Sequence, residues 1–373
     1  QNMEKNFTIA LAFVLMLCSC QHAEEQTTLV EYINDKDFPA DITSSYTIVN
    51  LKDDIIEGLI NDIKITKIMT DDNLIFISHE PTDDESSEII SVFDFDGNYL
   101  YNIGYKGRAS YEYLRINDWY INIKENEVLI FDTSKGRILI YSYDGKYKSS
   151  ISLKEKYYYG KGITYNGGHL YVKSYIPNGF ADNIASLKND GTYIELYPKR
   201  EFNSEEFDFD PIKQYTSPEN DTIYYIRPID NNLYKIINSK VITSQTLDFI
   251  NSPLNKKSKL SITSYSDYVM LTPVCCYDTE KYYIVVTIMD GTFVLSKQTM
   301  KWSCYNGYNA THSILSTIFH FYGVTGNMLI GKVSKSFALH ELKYNKQLSN
   351  REREEYDLIT KTENVSLIFC NLK

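Results

Sequence analysis

Asp-Gly pairs that lie between alternating apolar runs constrain the fold of this chain more than any other feature. Asp96-Gly97 and Asp144-Gly145 are 48 residues apart, and Asp190-Gly191 follows 46 residues later. Such a pair is a strong β-hairpin signal, because tight primed turns require positive φ angles. A period near 48 residues is typical of β-propellers with four-stranded blades, whereas a β-helix has a shorter period and a pair of β-sandwiches needs none.

The alternating runs predict four strands in each of the first two blades. These strands cover residues 63–69, 74–79, 89–93 and 99–103 in blade one, and 116–123, 127–132, 138–142 and 147–153 in blade two. Less regular runs predict blade three over residues 162–198, blade four over 212–249 and blade five over 262–305. Within blade five the pattern leaves open whether the Asp290-Gly291 turn comes one hairpin earlier than in the other blades.

Blade six has too few strands of its own. Residues 314–321, 328–333 and 365–372 are strand-like, whereas residues 335–362 favour a short helical insertion. The isolated run at residues 45–51 supplies a fourth strand, so pairing of the two chain ends would close the ring and leave no unpaired edge. The prediction is an all-β fold: a six-bladed β-propeller of four-stranded antiparallel blades spanning residues 45–373.

The first 20 residues resemble a bacterial lipoprotein signal. Lys5 precedes an apolar run at residues 7–17 that is too short to span a bilayer, and Leu17-Cys18-Ser19-Cys20 resembles a lipobox. We therefore expect a signal peptide over residues 1–19, lipid attachment at Cys20 and a tether over residues 20–44. These features predict a lipid anchor in the outer membrane or at the cell surface. The alternatives are an ordinary secretory signal or a buried apolar strand.

The segment at residues 92–132 resembles the NHL-like six-bladed β-propeller lipoproteins of Bacteroides-type bacteria. It contains Asp96-Gly97, Ile103-Gly104, Gly107 and Glu112-Tyr113 in the order of that family. It departs from the family at Ala109-Ser110-Tyr111, where the family usually has Gly-Pro-Gly. The resemblance implies the fold and export, and it implies no reaction and no catalytic residues.

Composition excludes several classes of function. The net charge of −11 argues against nucleic acid as a partner, since phosphate backbones attract Lys and Arg. No spacing of His, Cys, Asp or Glu matches a metal motif, and no nucleophile elbow is present, so we predict no metal, no cofactor and no catalytic residue. Of the four cysteines beyond the signal, Cys275 or Cys276 could bridge Cys304, although buried free thiols fit the sequence better.

The candidate ligand-binding residues are Arg108, Trp119, Tyr158 and Tyr159. Arg108 lies among Gly104, Gly107 and Glu112, a pattern that fits either an anion-binding loop or a connection in which Arg108 pairs with Glu112. The aromatic residues lie near blade boundaries, where they would stack on sugars or peptides if exposed, or pack between blades if buried.

These features favour a non-catalytic protein that binds a ligand, such as a glycan, a peptide or an envelope protein, at the cell envelope. The first alternative is a propeller lyase or hydrolase with a metal or an acid/base site on the central axis. The second is a structural subunit of an envelope complex, which a large exposed apolar patch would favour. A cluster of His, Asp and Glu at the channel mouth would favour the enzyme, and a mouth lined by Tyr and Trp would favour binding.

The lipobox generates the first testable prediction. Cys20→Ser removes the thiol that would carry the acyl chains, so the variant should leave the membrane fraction, because stable anchoring needs two or more chains. Fractionation of cells without detergent measures this. A variant that stays with the membranes would contradict lipid attachment at Cys20.

Overall fold

A computed structural model of the chain is an all-β, six-bladed propeller with two helices near the C-terminus. The structure describes residues 27–28, 31–33, 42–52, 64–80, 88–153, 160–166, 168–174, 183–188, 190–196, 213–226, 232–247, 273–287, 292–305, 321–333, 335–346, 348–361 and 365–373. Within this part of the chain, no helix is both long enough and apolar enough to cross a membrane.

The first half of the chain contributes strands β1 to β15. They are β1 (Thr27–Thr28), β2 (Glu31–Ile33), β3 (Thr43–Asn50), β4 (Lys64–Thr70), β5 (Leu74–Glu80), β6 (Ile89–Asp94), β7 (Tyr99–Asn102), β8 (Asp118–Asn122), β9 (Glu127–Asp132), β10 (Arg137–Ser142), β11 (Tyr147–Ser152), β12 (Gly160–Asn166), β13 (His169–Ser174), β14 (Asn183–Leu187) and β15 (Tyr193–Glu195). A single-turn 3-10 helix, Ile123–Glu125, separates β8 from β9.

The second half contributes strands β16 to β26 and the two helices. They are β16 (Lys213–Thr216), β17 (Ile223–Ile226), β18 (Asn232–Ile237), β19 (Lys240–Leu247), β20 (Pro273–Asp278), β21 (Tyr282–Thr287), β22 (Thr292–Ser296), β23 (Lys301–Tyr305), β24 (Phe321–Thr325), β25 (Met328–Val333), α1 (Lys335–Tyr344), α2 (Asn350–Lys361) and β26 (Ser366–Leu372). The helices lie between the second and third strands of blade six, and Tyr356 and Ile359 of α2 are buried.

Blades one, two and three are the antiparallel sheets β4–β7, β8–β11 and β12–β15, as predicted. Blade six is formed by β24, β25, β26 and β3, so the first long strand of the chain pairs with the last one. The register of that pair runs from Ser366 opposite Asn50 to Leu372 opposite Thr43. This arrangement confirms the predicted closure of the ring by the two chain ends.

Blades four and five depart from the predicted pattern. Strand β16, which lies within the span predicted for blade four, pairs in parallel with β20 of blade five. Blade four therefore contains β17, β18 and β19, and blade five contains β20 to β23. The short strands β1 and β2, predicted as part of a tether, pair in parallel with the outer strands β19 and β23. The rims of blades four and five thus each carry a piece of the N-terminal segment.

The glycines of the Asp-Gly turns have the predicted positive φ, at 84° for Gly97 and 79° for Gly145. Each also packs against the end of the preceding blade's outer strand. A Cβ atom would lie 2.1 Å from the Asn50 carbonyl oxygen at Gly97 and 2.9 Å from the Asn102 carbonyl oxygen at Gly145. Each of these turns therefore requires glycine for two reasons: the positive φ angle and the close contact with the previous blade.

In blade five the question of register is resolved. Two strands, β22 and β23, follow the Asp290-Gly291 pair, so this pair precedes the third strand of the blade and not the fourth. The turn between β22 and β23 consists of residues 297–300, with Met300 at a φ of 54°. The Asp290-Gly291 pair falls between β21 and β22, one hairpin earlier than in blades one to three, and lies outside the described residues.

Tyrosine hydroxyls connect inner strands of different blades. Tyr120 of β8 donates to the Thr216 carbonyl oxygen at 3.0 Å, and Tyr277 of β20 donates to the Phe321 carbonyl oxygen at 3.1 Å. The ring of Tyr277 stacks on Tyr215 with centroids 5.3 Å apart. Burial raises the pKa of all three hydroxyls well above the ordinary value, so they remain protonated donors. Aromatic side chains therefore link strands β8, β16, β20 and β24, which belong to different parts of the ring.

The contacts of the turn glycines generate the second prediction. Gly145→Val should lower the free energy of unfolding by about 1 kcal/mol or more, because Cβ is disfavoured at this φ and would meet the Asn102 carbonyl oxygen. Gly97→Val should behave in the same way. The matched control is Lys146→Val, since the Lys146 side chain is exposed. Thermal denaturation measures the three variants, and equal melting of Gly145→Val and Lys146→Val would contradict the role of these glycines.

Candidate functional site: the loop between blades one and two

Residues 103–117 form the connection from β7 to β8, which we call the crossover loop. Its two legs are joined by backbone hydrogen bonds, from the Gly107 N–H to the Tyr113 carbonyl oxygen at 2.8 Å and from the Tyr113 N–H to the Tyr105 carbonyl oxygen at 3.0 Å. At the tip, the Glu112 N–H donates to the Ala109 carbonyl oxygen at 3.1 Å. The loop is therefore a compact, internally bonded unit.

Side chains of blade two hold the carbonyl groups at the tip of this loop. The Lys135 ammonium donates to the carbonyl oxygens of Ala109 at 2.7 Å and Glu112 at 2.6 Å. Arg137 donates to the Ser110 carbonyl oxygen at 3.0 Å, and the Tyr141 hydroxyl donates to the Tyr111 carbonyl oxygen at 2.7 Å. Four consecutive carbonyl groups of the loop are thus fixed on blade two.

The glycine-rich segment does not form an open anion site, because Glu112 of the same loop occupies it. The Glu112 carboxylate accepts the Ala109 N–H at 2.8 Å, and a Cβ atom on Gly107 would lie 2.0 Å from that carboxylate. Gly107 is therefore needed for the close approach of Glu112. The alternative interpretation, an ion pair between Arg108 and Glu112, is also wrong: within the described part of the chain Arg108 forms no ion pair, and its side chain is exposed.

The crossover loop exposes two aromatic rings and three cations to solvent. Tyr105 is 70% exposed and Tyr111 is 52% exposed. Lys106, Arg108 and Arg115 are exposed as well. We call these five side chains the crossover surface. Of the five, only Arg108 is predicted from the sequence, since nothing in the pattern distinguishes an exposed tyrosine from a buried one at a blade boundary.

The other predicted site residues lie elsewhere. Trp119 is 1% exposed on β8 and packs among the core residues of blades one to three, so its ring is not accessible to a ligand. This corrects its selection as a binding residue; the alternative of packing between blades applies instead. Tyr158, Tyr159 and Cys20 lie outside the described residues.

A second polar group lies between the inner strands of blades one and two. The Lys67 ammonium donates to the Asp118 carboxylate at 2.7 Å and also to the Trp119 carbonyl oxygen. The second oxygen of Asp118 accepts the Ile163 N–H at 2.8 Å. Nearby, the Thr66 hydroxyl donates a hydrogen bond to the Glu88 carboxylate. Burial raises the pKa of Glu88 above its ordinary value. Lys67 and Asp118 therefore satisfy each other and connect three blades.

The described residues contain no group of three or more His, Cys, Asp or Glu side chains that could hold a metal ion. His79 is buried, and its Nε2 atom lies 2.9 Å from the Ser91 hydroxyl. Cys275, Cys276, Cys304 and Cys370 form no disulfide bridge among the described residues, and all but the half-buried Cys275 are buried, which confirms the preferred interpretation.

The contacts of Lys135 generate the third prediction. Lys135→Met keeps the aliphatic stem and removes both hydrogen bonds to the loop, so it should cost roughly 1–3 kcal/mol and loosen the tip. Hydrogen exchange at the Gly107 and Tyr113 amides should then be faster by at least tenfold. Lys148→Met, which removes an ion pair with Glu127 in the same blade, is the control and should leave these amides unchanged. Unchanged exchange in Lys135→Met would contradict a clamped loop.

Comparison with solved structures agrees with the observed fold. A candidate exported protein of Bacteroides fragilis matches with a TM-score of 0.62 and 15% identity, covering 93% of this chain and 100% of that one. A member of the DUF4221 family from Bacteroides vulgatus matches with a TM-score of 0.50 and 10% identity, covering 89% and 97%. No curated protein matches the sequence. At these identities the likeness concerns the fold.

One family model matches nearly the whole propeller. It is described as a domain of unknown function, DUF4934, and it spans residues 39–371. That span includes strand β3 at its start and nearly all of β26 at its end, so it contains both strands that close the ring. The chain therefore belongs to the DUF4934 family.

Proposed function

We propose that this protein is an exported, lipid-anchored propeller that binds a ligand or protein partner at the cell envelope and catalyses no reaction. The binding site in this proposal is the crossover surface. Export is supported by the signal-like N-terminus and by the candidate exported protein of Bacteroides fragilis among its structural neighbours. The proposed location is the outer membrane or the cell surface, and nucleic acid is not among the proposed partners.

The observation that carries the proposal is an exposed set of aromatic and cationic side chains on a clamped backbone. Tyr105, Arg108 and Tyr111 extend from a loop whose tip carbonyls are bonded to Lys135, Arg137 and Tyr141. A fixed backbone lowers the entropy lost on binding, and tyrosine offers a large contact area at low conformational cost. Two exposed aromatic rings and three exposed cations on one rigid loop therefore favour a binding role.

The Lys67–Asp118 pair between the inner strands of blades one and two supports a structural role better than a catalytic one. A general acid or base must reach the proton that it transfers, within hydrogen-bonding distance of the substrate. Lys67 and Asp118 are mostly buried and bonded to each other at 2.7 Å, and Lys67 also lies 5.6 Å from the centre of the Trp119 ring. Removing either charge would leave the other buried without its counter-ion, which is strongly destabilising, so both groups are needed by the fold itself.

The fourth prediction tests the site. The labelled protein should bind members of a combined glycan and peptide array, and the double variant Tyr105→Ala/Tyr111→Ala should lose at least tenfold of that binding. The control is Tyr344→Ala on α1, which removes a tyrosine of similar exposure, 58%, from another part of the molecule. Melting temperatures of all variants verify that they are folded. Binding that survives in the double variant would contradict the crossover surface as the site.

A further inference from the structure

We infer that the ligand of the crossover surface is an acidic polysaccharide, with sugar rings stacked on Tyr105 and Tyr111 and carboxylates paired with Arg108 and Arg115. This inference rests on the proposed function and names the chemical class that the same site would recognise. Three properties of the loop support it: its bonded backbone, the outward direction of its cations and the exposure of its rings.

The backbone of the loop has few groups left for a peptide. Peptides that add a strand to a domain need free N–H and C=O groups along an edge, and helical peptides need an apolar groove. Here the N–H groups of Gly107, Ala109 and Tyr113 are bonded within the loop. The carbonyl groups from Ala109 to Glu112 are bonded to blade two. Recognition must therefore come from side chains.

The charges at the loop are separated: Glu112 of the loop and Asp132 of the neighbouring strand β9 are turned inward, and the cations of the loop are turned outward. The Glu112 carboxylate bonds to the Ala109 N–H, and the fully buried Asp132 carboxylate accepts the N–H groups of Leu114 at 2.7 Å and Lys135 at 3.0 Å. Arg108 and Arg115 are exposed and form no ion pair within the described residues. The guanidinium fork matches a carboxylate in a bidentate geometry. The local positive charge contrasts with the net charge of −11 and selects an anionic ligand.

The exposed rings restrict the anion further. A small inorganic anion would use the arginines and leave the tyrosines in water. A π face is negative, so it attracts the slightly positive C–H groups on one side of a sugar ring as well as cations. A chain of uronic acid rings carries both features, a C–H face and a carboxylate, in every unit. An acidic peptide carries the carboxylates without the rigid ring.

The fifth prediction tests this inference with polygalacturonate as the probe. Biolayer interferometry compares it with the same polymer after its carboxylates have been reduced to alcohols, and with poly-L-glutamate. The protein should bind polygalacturonate at least tenfold more tightly than either. Arg108→Gln/Arg115→Gln should lose at least tenfold in affinity and most of the salt dependence, and Tyr105→Ala/Tyr111→Ala should lose at least tenfold while keeping the salt dependence.

The matched controls are Lys240→Gln, an exposed cation on β19, and Tyr344→Ala, and both should bind within twofold of the original protein. Equal binding of the reduced polymer, or tighter binding of polyglutamate, would overturn the inference. Unchanged affinity in both double variants would do the same. If array binding depends on Tyr105 and Tyr111 but polygalacturonate does not bind, the acidic sugar is wrong and the proposed binding function stands.

Discussion

The pairing of β3 with β26 is the interaction on which the rest of the ring depends. It joins residues more than 300 positions apart, and the Ser366 hydroxyl adds a bond to the Asn50 side chain at 2.6 Å. The entropic cost of closing a loop grows only slowly with its length. An open ring would leave a whole strand edge with unpaired N–H and C=O groups, so closure is favoured. The residues that end and follow β3 also contact blade one: Gly97 packs against the Asn50 carbonyl group, and the Lys52 N–H donates to the Gly97 carbonyl oxygen at 2.7 Å. Closure therefore determines where the first blade packs.

Much of the fold could be predicted because its information is local. Hairpins in blades one and two depend on alternating side chains and on a turn whose φ only glycine adopts easily, and both are visible in a single stretch of sequence. In blade five such a turn cannot be predicted from a glycine, because the outer turn at residues 297–300 contains none and has Met300 at a positive φ. Strand β16 pairs with β20, and the rim strands β1 and β2 pair with β19 and β23. These pairings depend on which sheet edges are available in the folded ring, and a local sequence pattern cannot predict that.

The candidate site could be predicted only in part. The glycine-rich segment around Arg108 predicts an anion-binding loop. In the structure, Gly107 instead allows the close approach of the Glu112 carboxylate. Trp119 and Tyr105 are both aromatic residues near the same blade boundary, and they differ because β8 places Trp119 inside the core while the clamped loop leaves Tyr105 outside. Exposure in such a loop is decided by bonds from Lys135 and Arg137, which lie more than 20 residues away in the chain.

The two rim strands have a consequence for how the molecule would stand on a membrane. Strand β1 begins at Thr27, so seven residue steps separate it from Cys20, a reach of at most about 25 Å when fully extended. With acyl chains on Cys20, as we propose, the outer edge of blade four would be held close to the bilayer. In a ring of six, the blade opposite to blade four is blade one. The start of the crossover loop, which leaves blade one, would then lie on the side of the ring farthest from the anchored edge.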